Sequence, residues 1–144
     1  MTETRIVVGV DGSEPSKAAL AWAIRQAMLT GSVVEAVMAW EPPATYGYAF
    51  PAVDDADFEK NAGQALAEAI ADVAEACESV TIKATVVYGN AARALLDAAK
   101  GASLLVVGSR GHGGFVEALL GSVGQHCVHH ATCPVVVVRG SATG

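Results

Sequence analysis

The sequence predicts an α/β fold built on a mainly parallel sheet of five strands. Three observations predict it. Short apolar runs alternate with longer segments in which apolar residues recur at helical spacing. The short runs are apolar on nearly every residue, as strands covered on both faces are. Gly, Pro, Ser and Asn fall at the joins, where turns and caps need them.

Each element follows in chain order. Ile6-Val7-Val8-Gly9-Val10 reads as the first strand, and Asp11-Gly12-Ser13 turns the chain. Ser13 is placed to cap a helix, with Glu14 and Pro15 in its first turn. Leu20, Ile24, Ala27 and Met28 recur along one face of that helix, and Gly31 is placed to stop it. Residues 33–40 form the second strand. Residues 41–53 are the one long irregular stretch, with Pro42, Pro43, Pro51, Tyr46, Gly47 and Tyr48. A helix is expected over about residues 54–77, with Phe58, Leu66, Ile70, Val73 and Cys77 on one face. Residues 81–88 are the third strand, and Asn90 caps a short helix carrying Leu95 and Leu96. Leu104-Leu105-Val106-Val107 is the fourth strand. Ser122 is expected to cap a further helix in a capping box with Gln125. Cys133-Pro134 ends that helix, and residues 135–138 are the last strand.

The chain has 144 residues, which predicts a single domain over 1–144 with a frayed tail at about 140–144. A hydrophobic fraction of 52% argues for a substantial core and against disorder. The net charge is −6 and Lys and Arg form no run, which argues against nucleic acid and anionic membrane as partners. The start does not read as a signal peptide, and no apolar run is long enough to span a bilayer. Three cysteines, Cys77, Cys127 and Cys133, show no framework spacing. A reducing cytoplasm is the expected location.

The most informative pattern follows the fourth strand. Gly108-Ser109-Arg110-Gly111 comes first, and Gly121-Ser122 follows, giving G-x2-G-x9-G-S. Glycines let the backbone approach a ligand and aim several N–H groups at it. A helix start adds unpaired N–H groups and a partial positive charge. Strand, glycine loop and helix start in that order make a phosphate cradle, so the pattern points to the phosphates of a nucleotide. It is not a P-loop, because no Lys follows the glycines, and Gly9-Val10-Asp11-Gly12 lacks the dinucleotide spacing. In open α/β sheets ligands sit beyond the carboxyl ends of strands where strand order reverses. If the first and fourth strands are neighbours, Asp11, Ala39 with Trp40, and Gly108 line one crevice. Asp11 would then accept from a ribose hydroxyl or a base N–H. Each piece also has a plainer reading: Asp-Gly-Ser as a turn, Ser122 as a cap only.

Other groupings carry less. His126 and His130 have the spacing of a helical metal pair, but no third ligand spacing follows, so no metal site is expected. Ser109 and His112 lack the strand–turn–helix form of a nucleophile elbow, and no catalytic residue is assigned. Tyr46, Tyr48 and Phe50 form either a lid or surface packing.

On these residues the chain closely resembles the ATP-binding branch of the universal stress protein family. The resemblance covers essentially the whole length. It rests on residues 7–13, on residues 104–111 with Leu119-Leu120-Gly121-Ser122-Val123, and on residues 129–138. It implies an open, doubly wound five-stranded sheet in the order 3-2-1-4-5, and it implies ATP, with Mg2+, as ligand. It implies that Asp11 lies near ribose and base, and that Gly9, Val10 and Ala39 lie along the base. Gly108, Arg110, Gly111, Gly121, Ser122 and Val123 would surround sugar and phosphates, with Val107 beside them. Gly124 stands where some relatives carry a hydroxyl residue, so only its N–H can serve. A homodimer through the last strand is implied as well.

Three functions compete. The first is a nucleotide-dependent regulatory protein of the stress response. The second is a slow ATPase or phosphotransferase, against which stands the lack of an acidic pair for Mg2+ and of a general base. The third is a cyclic AMP binder, since the same pocket can take a shorter phosphate group.

Overall fold

The computed structural model describes residues 4–40, 55–74, 79–109 and 122–139. The elements are β1 (Arg5–Gly9), α1 (Glu14–Thr30), β2 (Val33–Trp40), α2 (Asp55–Ala74), β3 (Ile82–Tyr88), α3 (Ala91–Ala98), β4 (Leu104–Gly108), α4 (Ser122–His130) and β5 (Val135–Val138). The sheet has the order β3-β2-β1-β4-β5, with every pair parallel. β1 is central, and Val7 and Val8 are fully buried.

Alternation along each strand sorts the core into two layers. Ile6, Val8, Val34, Ala36, Met38 and Val106 point to the layer that holds α1 and α2, with Leu20, Ile24 and Leu66. Val7, Val37, Leu105 and Val107 point to the other layer, with Leu95 of α3 and Cys127 of α4. This is why the strands read as unbroken apolar runs.

The caps act as the residue types require. The Ser13 hydroxyl accepts from the Ser16 N–H at 3.3 Å, and Pro15 lies in the first turn of α1. Gly31 ends α1 at φ 72°, a left-handed conformation that glycine adopts without a Cβ clash, and its N–H donates to the Ala27 carbonyl. The Asn90 side chain accepts from the Arg93 N–H at 3.1 Å. An ion pair between Lys17 and Asp72, 3.1 Å, links α1 to α2. On the other layer Arg5 binds Glu35 at 2.9 Å and the carbonyls of Ala98 and Lys100 at 2.6 and 2.9 Å. Glu35 also accepts from the Thr85 hydroxyl at 3.0 Å. The guanidinium thus ties β1 and β2 to the carbonyl end of α3, where a cation is favoured.

Four expectations need correction. Met28 is 51% exposed, because it lies past the buried stripe formed by Leu20, Ile24 and Ala27. β3 begins at Ile82, while the Thr81 carbonyl accepts from the Val34 N–H just before the strand. α4 begins at Ser122 itself, so Ser122 sits in the first turn and not in the flanking cap position. α4 also ends at His130, before Cys133-Pro134, with Ala131 N–H closing on the Cys127 carbonyl at 2.9 Å. Residues 41–53, including Tyr46, Tyr48 and Phe50, lie outside the described residues, as does Cys77.

Two strand-end glycines are needed for packing. A Cβ on Gly108 would meet the Pro15 carbonyl carbon and oxygen at 2.8 Å. A Cβ on Gly9 would meet a Leu95 methyl at 2.7 Å. Backbone cannot yield as a side-chain methyl can. Gly108→Ala is therefore expected to lower unfolding free energy by about 1–3 kcal/mol, and Gly9→Ala by less, because Leu95 can change rotamer. Urea denaturation of both variants checks the order; an equal or reversed cost would show that Pro15 yields more readily than Leu95.

Candidate functional site

The β1–β4 pairing sets Ile6 against Leu104 and Val8 against Val106, so β1 and β4 are neighbours. The helix that follows β1, α1, packs on one layer, and α4, the next described helix after β4, packs on the other. The carboxyl ends of β1 and β4 therefore border the point where the strand order reverses, with β2 next to β1, and this is the crevice position of open α/β sheets.

Around that crevice the described residues take definite places. Gly9 closes β1 and Gly108 closes β4. Val10 is 3% exposed and donates its N–H to the Val37 carbonyl at 2.9 Å, while Val107 is 4% exposed. Both side chains belong to the core, so what these residues can offer a ligand is backbone. Ala39 is half-buried near the end of β2, on the same side of the sheet as Val37. Trp40 is on the opposite side; it pairs in register with Tyr88 and meets its ring edge-on, centroids 4.8 Å apart. Val123 packs, half-buried, against the α3–α4 layer, and Gly124 is buried. Ser122 opens α4. Arg110, Gly111 and Gly121 lie outside the described residues, as does the Ser122 side chain.

Asp11 is exposed, and its carboxylate organises the turn after β1. Oδ1 accepts from the Ser13 N–H at 2.9 Å and also from the Ser13 hydroxyl. The Asp11 N–H donates to the Ser16 hydroxyl at 3.2 Å, and that hydroxyl donates to the Ser13 carbonyl at 2.9 Å. Ser16 is 4% exposed and was not among the expected site residues. The Ser13-x-x-Ser16 spacing at the head of a helix was the available signal. Together with Gly12 at φ 84°, these bonds hold a closed turn at the crevice rim. The arrangement presents a fixed acidic group between the end of β1 and the first turn of α1.

A doubly wound parallel sheet in this order, with a closed acidic turn after β1 and a helix entered beyond β4, is an α/β protein with a switch-point crevice. More narrowly, the chain belongs to the universal stress protein family: residues 3–139 match the family described as "Universal stress protein family". A universal stress protein of Mycobacterium tuberculosis (strain H37Rv) is 38% identical over 138 residues, which are 96% of this chain and 46% of that protein. The chain spans about half the length of the curated relatives it matches. Universal stress protein UspA from Lactobacillus plantarum superposes with a TM-score of 0.78 at 26% identity, covering 96% of this chain and 99% of that one. A universal stress protein solved in complex with cAMP gives a TM-score of 0.70 at 28% identity, covering 98% and 100%. Among the described residues no helix is long and apolar enough to cross a membrane.

The Asp11 carboxylate holds the turn after β1 through its bonds to Ser13, and that role can be tested by itself. Asp11→Ala is expected to lower stability by about 0.5–1.5 kcal/mol through loss of the acceptor for Ser13. Asp11→Asn keeps an acceptor oxygen and is expected to lose less. Chemical denaturation of the two variants tests this, and equal losses would mean that charge, not the turn bonds, matters.

Proposed function

We propose that this chain binds ATP with Mg2+ at the crevice between β1 and β4 and acts as a nucleotide-dependent regulatory protein, with little hydrolysis. The observation that supports the reading is the β1–β4 pairing at the switch point, with the closed Asp11 turn following β1 and the end of β4 at Gly108 lying against Pro15 of α1. The nucleoside would lie along Gly9, Val10, Asp11 and Ala39, met mainly by backbone. The phosphates would meet Gly108, Arg110, Gly111 and Gly121, and the opening turn of α4 at Ser122, Val123 and Gly124. Helix N–H groups suit an anion there. The bound Mg2+ would supply charge neutralisation of the phosphates; Asp11 would be the carboxylate nearest the nucleoside. The −6 net charge does not oppose this, since backbone N–H groups can bind phosphate without cationic side chains. A single nucleotide-binding domain in a cytoplasmic setting goes with this reading.

A second reading has a specific observation behind it. The neighbour solved in complex with cAMP is 28% identical and is covered along its whole length. A cyclic nucleotide would use the nucleoside contacts and leave the phosphate-chain contacts unused.

Calorimetric affinities for ATP, ADP, AMP and cyclic AMP, with phosphate release followed in the same sample, separate the readings. ATP is expected to bind tightest with negligible turnover. Preference for cyclic AMP would favour the second reading, and rapid multiple turnover would make the protein an enzyme. Gly111→Val and Gly121→Val are expected to abolish ATP binding while leaving the circular dichroism spectrum unchanged, since a branched side chain fills the phosphate space. Wild-type affinity in a folded variant would place the ligand elsewhere.

A homodimer through β5 is part of the proposal. β5 lies at the edge of the sheet, where unpaired N–H and C=O groups can meet a second chain. All four valines are half-buried and pack inward against one layer or the other, so pairing with a second chain would use the backbone of β5, the edge strand of the sheet among the described residues. Light scattering at micromolar concentration is expected to give twice the 14.6 kDa chain mass; the single-chain mass would remove the dimer.

A further inference from the structure

The last two turns of α4 carry His126, His129 and His130, all exposed. His126 and His130 are four residues apart, so one turn of helix sets them on the same face. Their ring centroids are 4.5 Å apart and the planes are tilted by 39°. Two histidines at this spacing on one helix face are the arrangement that converges on a single metal ion in helical zinc sites. The i, i+4 spacing pairs the two residues, and the closeness of the rings shows that both side chains occupy the same patch of the helix surface.

The surroundings define the ion. Among the described residues no group of three or more His, Cys, Asp or Glu side chains is placed to hold a metal. An ion held here would therefore keep water or an exchangeable ligand at its remaining positions. Imidazole donors without carboxylate suit Cu2+, Ni2+ and Zn2+, whereas Mg2+ and Ca2+ take oxygen ligands. The pair also lies toward the carbonyl end of α4, where the helix dipole favours a positive charge.

We propose that His126 and His130 form a two-histidine site for a transition-metal dication on the exposed face of α4. The site is separate from the crevice residues, but it belongs to the helix that Ser122 opens. A metal bridging one turn would stabilise α4, and so would act on the segment assigned to the phosphates. That coupling rests on the nucleotide reading; the metal site does not, and its test is run without nucleotide.

The experiment is calorimetric titration of tag-free protein with Cu2+, Ni2+ and Zn2+ chlorides, with Mg2+ as the control ion. One transition-metal ion is expected per chain, tightest for Cu2+, with no heat from Mg2+. His126→Ala and His130→Ala are each expected to weaken binding by about tenfold or more, since a chelate is reduced to a single ligand. His129→Ala, which leaves the pair intact, is expected to keep wild-type affinity. All three positions are exposed, so the variants should fold, and a thermal melt without metal checks this. Unchanged binding in the His126→Ala His130→Ala double variant, no binding by the wild type, or equal loss in His129→Ala would overturn the site.

Discussion

The approach of Pro15 to the end of β4 is the constraint on which the site end of the fold depends. Gly108 lets the first turn of α1 lie against the β4 backbone, where any Cβ would come within 2.8 Å of the Pro15 carbonyl. That contact sets how far α1 reaches over the carboxyl edge of the sheet. The Asp11 turn precedes α1 directly, so its position at the crevice rim follows from the same contact. Proline at that place has its φ preset for a helical first turn. The glycine and the proline therefore fix each other, one by lacking a side chain and the other by lacking freedom.

The opposite layer is anchored by charge as well as apolar packing. Arg5 reaches from the start of β1 to two carbonyls at the end of α3 while pairing with Glu35 on β2. Glu35 is in turn held by Thr85 of β3. One guanidinium thus relates three strands and a helix at the amino edge of the sheet. At the carboxyl edge the same helix is set by Leu95 entering the space above Gly9. α3 is held by hydrogen bonds at its carbonyl end and by shape midway along it.

Much of this was legible in the sequence because it depends on local chemistry. The apolar runs showed two-sided burial, Ser13 and Asn90 showed helix starts, and Gly31 showed a helix end. Strand order is not local; it came from resemblance, and the β1–β4 pairing agrees with it. What could not be read has a common cause. Gly9 and Gly108 read as places where a ligand approaches, and the sequence gives no sign of the Leu95 and Pro15 atoms that fill the Cβ positions. The same holds for Arg5, whose partners are 30 to 95 residues away. Ser122 was placed one step outside its helix because capping chemistry and first-turn positions share residue preferences. Met28 followed the helical period but lies where α1 runs past the sheet.

The strand order carries a consequence for how the chain assembles. β1, β2 and β3 pair consecutively, so the first three strands with α1 and α2 can form a half-sheet from nearby sequence. The other edge of β1 must wait for β4, with the Ser103 hydroxyl finding the Arg5 carbonyl across 98 residues. Closing so long a loop adds an entropic barrier that local pairing does not. During synthesis, the most buried strand of the finished protein thus stands as an open edge until the glycine-rich half of the chain emerges. The half that completes the crevice is also the half that seals the core.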